Sequence, residues 1–354
     1  MPIVNTVKMF EVAKREQFAV GAFNVNNMEL LQGIMGAAHE EQAPLILQIS
    51  RGARKYANMK YLRALIDVAT TEVPEIPVAI HLDHGDYDTA MTCIDEGYTS
   101  VMFDGSKLPL EENIAKTKKI ADYAHSKEPY ICVEAELGML GGIEEDVVGV
   151  KEEDIMKFLT DPDEAKQFVE ESGCDSLAVA IGTSHGAYKF KHTPKLAFDR
   201  IEAIAKKIPK TPLVMHGSSS VPAEFIEAIN KYAVLDQNNA ELCRTAGETN
   251  WEQMPQTMGV PEEAIARAAK MAVCKVNIDT DLRLAMTSAI LRVWGESNDA
   301  LWAWIQAGSK GERPKFPFDP REYFGPGREA VKTIVARKMK ALGCSGTAKA
   351  VIIG

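Results

Sequence analysis

Short apolar runs alternate with amphipathic segments between about residues 19 and 295 of this chain. Several runs are almost continuously apolar, which is typical of parallel strands that are buried on both faces. Between them lie stretches whose apolar residues recur at three- and four-residue spacing, and this spacing predicts helices. The eight predicted strands span residues 19–25, 44–50, 77–83, 100–104, 130–137, 176–182, 212–217 and 273–279.

Eight strand–helix alternations predict a parallel sheet, and their number favours a closed (β/α)₈ barrel, the TIM-barrel fold. An open doubly wound sheet is the alternative, which is weakened because no GxGxxG motif opens a helix after the first strand. We predict one domain over residues 1–354, with an insertion at 234–271 before the eighth strand and a helical C-terminal arm at 308–354. Because arms of this kind often cross a subunit interface, we also expect an oligomer.

Composition argues against several classes of partner. The chain has 354 residues, of which 46% are hydrophobic and 25% charged, as in ordinary globular proteins. A net charge of −10 argues against nucleic acid or an anionic membrane surface, since both require basic patches. No apolar run approaches the roughly 20 residues of a membrane span. The N-terminal residues lack a signal-peptide pattern, and the six cysteines are scattered without a CxxC pair, so we predict reduced thiols and a cytoplasmic location.

Three of the seven histidines are followed directly by glycine, at or just past the end of a predicted strand. They are His84, His185 and His216, on the third, sixth and seventh strands. In a (β/α)₈ barrel, the C-terminal strand ends build the active site. Three imidazoles with an open fourth position are a ligand set of catalytic zinc, so we predict a zinc site. The alternative is three separate, hydrogen-bonded histidines.

Carboxylates accompany these histidines. Asp83 directly precedes the first of them, either as an orienting partner of the metal site or as a general acid/base. Asp104, Glu134 and Glu136 form an acidic cluster that could bind a second cation, hold an alternate zinc position or orient the histidines. His81 shares a strand face with Asp83, which places it as a supporting residue behind the site.

Three polar segments complete the predicted site. Residues 138–150 contain four glycines and three consecutive acids, typical of a mobile loop that closes on substrate and delivers a proton-transfer group, Glu144 or Glu145. Residues 217–220 and 277–280 each lead into a predicted helix and offer backbone N–H groups and hydroxyls, which suits phosphate. We call these the two phosphate segments, because loops after the seventh and eighth strands are the usual phosphate site of barrels.

The motifs LDHG, VEAELG, GTSHGAY, MHGSSSV and VNIDTDLR follow one another along the chain. In order and spacing they resemble those of class II, zinc-dependent fructose-bisphosphate aldolases, from about residue 3 to the C-terminal helix. The resemblance implies reversible aldol cleavage of D-fructose 1,6-bisphosphate to dihydroxyacetone phosphate and D-glyceraldehyde 3-phosphate, a step of glycolysis and gluconeogenesis. It implies a metal-dependent aldehyde-lyase in which zinc stabilises an enediolate.

The resemblance also implies roles for single residues. The three histidines match the zinc ligands, and Asp83 matches the acid/base at the C4 hydroxyl. Asp104 and Glu136 match a second or alternate divalent metal position. Glu145 matches the mobile proton-transfer carboxylate, although Ile143 between the glycines and the acids keeps Glu144 as an alternative.

Substrate-binding positions follow from the same match. The pocket for the dihydroxyacetone phosphate end and the remaining sugar contacts comprise Asn24, Ser50, Gly186, Gly217, Ser218, Ser219, Asn277, Ile278, Asp279 and Thr280. Arg321 resembles an arginine that reaches a neighbouring subunit's site and binds the other phosphate. A monovalent cation, Na⁺ or K⁺, near Gly186 and Gly217 is implied as well, and a homodimer or homotetramer is expected.

Three other functions are alternatives to this one. A tagatose 1,6-bisphosphate aldolase differs at one stereocentre of the substrate, and only the insertion and the arm favour fructose. A zinc hydrolase on a barrel would use the same ligands but leaves the two phosphate segments unexplained. A non-enzymatic binding role has no sequence feature in its favour.

Overall fold

A closed barrel of eight parallel strands forms the centre of the protein in this computed structural model, which describes residues 3–144, 147–148, 152–185, 194–233 and 258–353. The strands in chain order are β1 (Val20–Asn24), β2 (Leu45–Ser50), β3 (Val78–Gly85), β4 (Ser100–Phe103), β5 (Cys132–Leu137), β6 (Gly141–Glu144), β7 (Val147–Val148), β8 (Ser176–Val179), β9 (Ser184–His185), β10 (Leu213–Met215) and β11 (Val273–Ile278). The barrel order is β1–β11–β10–β8–β5–β4–β3–β2, and β6, β7 and β9 form a separate small sheet. The predicted (β/α)₈ barrel is therefore confirmed over an open sheet.

Helices cover the outside of the barrel. They are α1 (Thr6–Glu16), α2 (Met28–Glu41), α3 (Arg51–Ala57), α4 (Met59–Glu72), α5 (Tyr87–Asp95), α6 (Leu110–His125), α7 (Pro162–Ser172), α8 (Phe198–Lys207), α9 (Ala223–Ala233), α10 (Glu262–Ala269), α11 (Thr280–Gln306), α12 (Pro320–Leu342) and α13 (Ala348–Ile353), with a 3₁₀-helix at Glu152–Phe158. Side-chain caps fix several N-termini, as where Asn27 accepts from the Leu30 N–H and Asp86 from the Thr89 N–H. None of the described helices combines the length and apolarity that crossing a bilayer requires.

Strand register brings polar side chains to one end of the barrel. Every residue of β1, β2 and β3 is buried, because one face of each strand meets the barrel interior and the other the helices. Asn24 pairs in register with Gln48, and Ser50 with Asp83. Since all eight barrel strands run in parallel, their C-terminal polar groups converge at the same rim.

The chain after the barrel folds back onto it. Helix α12 packs against α2 and α11, so the C-terminal arm contacts helices of its own chain. Of the predicted insertion, residues 234–257 lie outside the described part, whereas 258–271 include α10. The domain boundaries drawn from the sequence remain predictions. The five cysteines within the described residues are free and buried.

Candidate metal centre

Three histidines meet at the C-terminal end of the barrel. His84 is the last residue but one of β3, His185 ends the short strand β9, and His216 directly follows β10. One ring nitrogen from each lies within 4.8 Å of the others. The ring centroids of His84 and His216 are 4.6 Å apart, and those of His84 and His185 are 5.1 Å apart. All three side chains are buried.

The glycines after two of these histidines permit this convergence. A Cβ on Gly85 would lie 2.9 Å from the Met102 carbonyl oxygen, and one on Gly217 would lie 2.7 Å from the Ser184 carbonyl oxygen. Gly217 also has φ +61°, which a side chain disfavours. The segment after β10 can therefore pack against the backbone that carries His185. Gly186, after the remaining histidine, lies outside the described residues.

Two carboxylates join His84. Its Nδ1 is 3.1 Å from Asp104 Oδ2 and 3.6 Å from Glu136 Oε2, and the three residues form a second group with ligand atoms within 4.8 Å. Burial lowers the pKa of His84, but Asp104, Asp83 and Glu136 outweigh that effect and raise it to about 10. Burial, followed by the charge of Asp104, raises the pKa of Glu136 well above its usual range. Anionic groups are thus crowded around one imidazole.

Unsatisfied atoms in this cluster fit a metal ion. Among the described residues, His84 Nε2 and Glu136 Oε2 are buried and accept or donate no hydrogen bond. Buried polar atoms normally have partners, so two such atoms in one cluster require an explanation. Imidazole nitrogen and carboxylate oxygen are ligand atoms of zinc. The donor set therefore fits Zn²⁺.

The sequence predicts that Glu134 clusters with Asp104 and Glu136, but in the structure Glu134 has different partners. Its Oε1 is 2.8 Å from His216 Nε2, and its two oxygens accept hydrogen bonds from Lys275 Nζ at 2.9 and 2.8 Å. Glu134 and Lys275 are fully buried. Sequence reasoning missed Lys275 as part of the site. The available signal was a lysine inside an apolar strand, because a buried lysine needs a charged partner.

The same network sets the protonation of two imidazoles. Lys275 Nζ donates to His81 Nε2 at 3.1 Å, so His81 Nδ1 carries the proton that Ser100 Oγ accepts at 2.9 Å. Burial and then Lys275 lower the pKa of His81 well below its usual value. Burial and neighbouring cationic groups do the same to the pKa of His216. Because Glu134 accepts from His216 Nε2–H, Nδ1 of His216 carries the lone pair that could bind a metal, and the Asn277 amide lies against this nitrogen.

Asp83 lies beside this cluster in a fixed orientation. Asn24 Nδ2 donates to its Oδ2 at 2.9 Å, and Asn277 Nδ2 donates to its Oδ1 at 3.2 Å. Asn277 Nδ2 is also 3.0 Å from His216 Nδ1. Gln48 in turn donates to Asn24. Amides from two barrel strands therefore hold one carboxylate next to the histidines, and Gln48 on a third strand supports Asn24.

The other predicted substrate residues occupy several positions. Ser50 is buried and caps α3 through the Ala53 N–H. Ser218 Oγ donates to the Met215 and His216 carbonyls at 3.1 Å, and Ser219 is buried beside it. The remaining members of the second phosphate segment are buried between the end of β11 and the start of α11; they are Ile278, Asp279 and Thr280.

Besides Gly186, three predicted residues are not placed in this cluster. Arg321 is 89% exposed at the start of α12, where its hydrogen bonds and ion pair are with Asp319. Glu145 lies outside the described residues, and of Glu144 only the backbone, in β6, is described.

A cavity of about 470 Å³ opens beside the metal cluster, with His84 and Asp104 in its wall. Arg51, Lys107 and Lys116 also line it. Asp86 and Asp88 line it as well, so its wall carries both signs of charge. This volume lies in the range of sites for small molecules.

Comparisons with known proteins agree with these features. A family model described as "Fructose-bisphosphate aldolase class-II" matches residues 4–347. The chain is 45% identical over 351 residues to the fructose-bisphosphate aldolase of Giardia intestinalis, covering 98% of this chain and 95% of that one. It is 41% identical over 364 residues to that of Treponema pallidum, covering 98% of both. Among solved structures, the YdjI aldolase from Escherichia coli K12 is similar, with a TM-score of 0.68, 26% identity and coverage of 98% and 99%.

Proposed function

The chain belongs to the class-II fructose-bisphosphate aldolase family, and we propose that His84, His185 and His216 hold the zinc ion at which it works. The protein is an aldehyde-lyase that cleaves D-fructose 1,6-bisphosphate reversibly to dihydroxyacetone phosphate and D-glyceraldehyde 3-phosphate. One observation carries the proposed site. Three buried imidazoles from three strands lie within ligand distance of one another, directly beside a carboxylate that is held by amides.

Zinc in this position would act as a Lewis acid that stabilises negative charge developing on the sugar oxygens as the C3–C4 bond breaks. Glu134 holds the His216 ring by its Nε2, and Asp104 holds the His84 ring by its Nδ1. Partners of this kind fix the orientation and tautomer of metal-binding imidazoles.

Asp83 removes the proton from the C4 hydroxyl during cleavage and returns it during condensation. The amides of Asn24 and Asn277 fix both of its oxygens, so the carboxylate needs little reorientation when the sugar binds. Asp83 is buried, which limits the access of bulk water to its carboxylate. Asn277 contacts both Asp83 and His216, which links the base to the metal site.

The two phosphate segments bind the dihydroxyacetone phosphate end. The second leads directly into α11, where the helix dipole favours an anion. We assign the other phosphate to Arg321 of a neighbouring subunit, whose side chain is exposed enough to reach one. A homodimer or homotetramer, a second divalent ion at Asp104 and Glu136, a monovalent ion near Gly186 and Gly217, and a cytoplasmic location belong to the same proposal.

Removal of the metal is expected to abolish aldol cleavage. Treatment with a chelator, followed by dialysis, should leave a folded protein without activity toward fructose 1,6-bisphosphate, because no other described group at the strand ends replaces the Lewis acid. Addition of one equivalent of Zn²⁺ should restore the rate, measured with a coupled assay for glyceraldehyde 3-phosphate.

Circular dichroism before and after chelation provides the control for folding. Full activity in the metal-free protein would contradict the zinc site. The same assay with tagatose 1,6-bisphosphate tests substrate choice, since a strong preference for tagatose would overturn the fructose assignment. Phosphate release without aldol cleavage would favour a hydrolase.

Replacement of Glu145 by alanine is expected to slow proton exchange at the carbon of dihydroxyacetone phosphate more than it weakens binding. A carboxylate on a closing loop acts after the substrate is bound, so its loss affects the proton transfer first. Exchange into deuterated water, followed by proton NMR, measures this rate. An unchanged exchange rate would point to Glu144, which the matched variant Glu144→Ala tests.

A further inference from the structure

A buried ion pair connects the C-terminal helix to both phosphate segments. Lys338 of α12 is 2% exposed, and its Nζ lies 2.9 Å from Asp281 Oδ2. Asp281 is fully buried in the first turn of α11, directly after the second phosphate segment. Its two oxygens accept the backbone N–H groups of Ser220 and Val221, at 2.9 and 2.8 Å, at the end of the first phosphate segment. One carboxylate therefore ties the two segments together.

Lys338 also contacts the first segment itself. Its Nζ donates to Ser220 Oγ at 2.6 Å and to Glu262 Oε1 of α10 at 3.0 Å. The ammonium group thus joins α12, α10, α11 and the segment after β10 at one buried point.

The backbone of this segment needs such support. Val221 has φ +49°, a left-handed conformation that a β-branched residue rarely adopts. Strained residues of this kind persist only where the surrounding structure holds them, and they concentrate at functional sites. The Val260 N–H donates to the Ser219 carbonyl at 3.2 Å, and a Cβ on Gly259 would lie 2.2 Å from the Ser220 carbonyl carbon. Asp281 supplies the remaining hydrogen bonds that hold the strained turn.

The positive charge of Lys338 also offsets the negative charge of Asp281. Asp281 is an anion immediately next to the segments that are to receive a phosphate dianion, and like charges in a buried environment repel strongly. The ammonium group of Lys338 neutralises that carboxylate while leaving its hydrogen bonds to the backbone intact.

We propose that Lys338 is a positioning residue for the phosphate-binding end of the site: through Asp281 and Ser220 it holds the first phosphate segment in its binding conformation and cancels the adjacent negative charge. The inference rests on the proposed use of residues 217–220 and 277–280 for the substrate phosphate. It assigns the C-terminal arm a role inside its own subunit, because the arm then determines how tightly the phosphate end of the sugar is held.

The test compares two neighbouring cations of α12 in the zinc-loaded full chain. Lys338→Met is expected to raise KM for fructose 1,6-bisphosphate and the inhibition constant of inorganic phosphate by about tenfold or more, with kcat changing much less, since uniform binding is lost. Arg337→Met is the matched control. Arg337 also pairs with Glu262, but it is 48% exposed and has no described contact with Asp281. Its kinetic constants should stay near the wild-type values.

Two further variants test the role of Lys338 independently of Lys338→Met. Lys338→Arg retains the charge and should recover part of the lost affinity. Ser220→Ala removes only the hydroxyl that Lys338 contacts and should weaken phosphate binding by a few fold. It tests the role of Lys338 even if Lys338→Met does not fold. Wild-type KM and phosphate inhibition in folded Lys338→Met, or in Ser220→Ala, would overturn the inference. An equal loss in Lys338→Met and Arg337→Met would do the same.

Titration of inorganic phosphate, followed by ³¹P NMR, separates this inference from the proposed function. If the wild-type protein binds phosphate but cleaves no fructose 1,6-bisphosphate, the proposed function fails, and the Lys338 variants still test the phosphate site. If cleavage is normal and phosphate affinity is the same in Lys338→Met, only the inference fails.

Discussion

Replacement of Asp83 by alanine is expected to lower kcat for cleavage of fructose 1,6-bisphosphate by about 10²–10⁴-fold, the usual contribution of a positioned general base. The bound zinc should remain, because the imidazoles of the metal cluster keep their own partners in Glu134 and Asp104. The KM should change less than kcat, since the phosphates are bound elsewhere. Steady-state kinetics, with zinc content from elemental analysis of the same sample, measures both effects.

Asp86→Asn is the matched control for this change. Asp86 lies three residues further along and lines the cavity beside the metal cluster, but its carboxylate caps α5 and pairs with Arg51. Asparagine preserves the cap, so kcat should stay close to the wild-type value. If Asp83→Ala loses its metal together with its activity, Asp83 holds the metal site in place and is not the base.

Replacement of Lys275 by methionine is expected to have the second large effect, on stability and on metal affinity together. Methionine leaves the Glu134 carboxylate buried without its cation, and breaking a buried pair in this way costs about 3–5 kcal/mol of unfolding free energy. The affinity for zinc should fall by about 10–100-fold, because Glu134 then no longer holds His216 as it does in the native network. Urea unfolding of the metal-free protein and competition with a zinc chelator measure the two quantities.

The double variant Lys275→Met/Glu134→Gln separates the causes. It removes both charges, and replacing a buried ion pair as a whole is often close to neutral. Much of the unfolding free energy should return, and the glutamine carbonyl can still accept from His216 Nε2–H. A double variant that is no more stable than Lys275→Met would show that the unpaired carboxylate is not the source of the loss.

Much of the fold follows from local pattern in this chain. The apolar runs at 44–50, 77–83 and 273–279 coincide closely with β2, β3 and β11. Strands buried on both faces must be apolar along their whole length, and this composition is visible without coordinates. The predicted sixth strand, 176–182, is longer than the observed one, since β8 ends at Val179 and the chain then runs on to the short strand β9. An apolar loop packed beneath the rim has the same composition as a strand.

The candidate site was only partly visible. Strand ends carrying Asp83, His84 and His216 could be read directly, because parallel strands present their C-terminal residues on one rim. The sequence does not show which of the acids on β5 lies near which histidine. Glu134 and Glu136 lie on the same face of β5. Glu134 nevertheless pairs with Lys275 and His216, whereas Glu136 approaches His84 and Asp104. That difference depends on which strands neighbour β5 and on their register.

The sequence by itself determined the strand count, the family and the residue types at the rim, because burial and strand ends leave a periodic pattern in the chain. Only the tertiary structure decided which buried charges pair. Lys275 lies 141 residues from Glu134, and Lys338 lies 57 residues beyond Asp281 and 118 beyond Ser220. Pairs so distant in sequence leave no periodic signal. Closure of the barrel and packing of α12 against α11 bring them together, and in a buried environment an ionised group is stable only where such a partner is present.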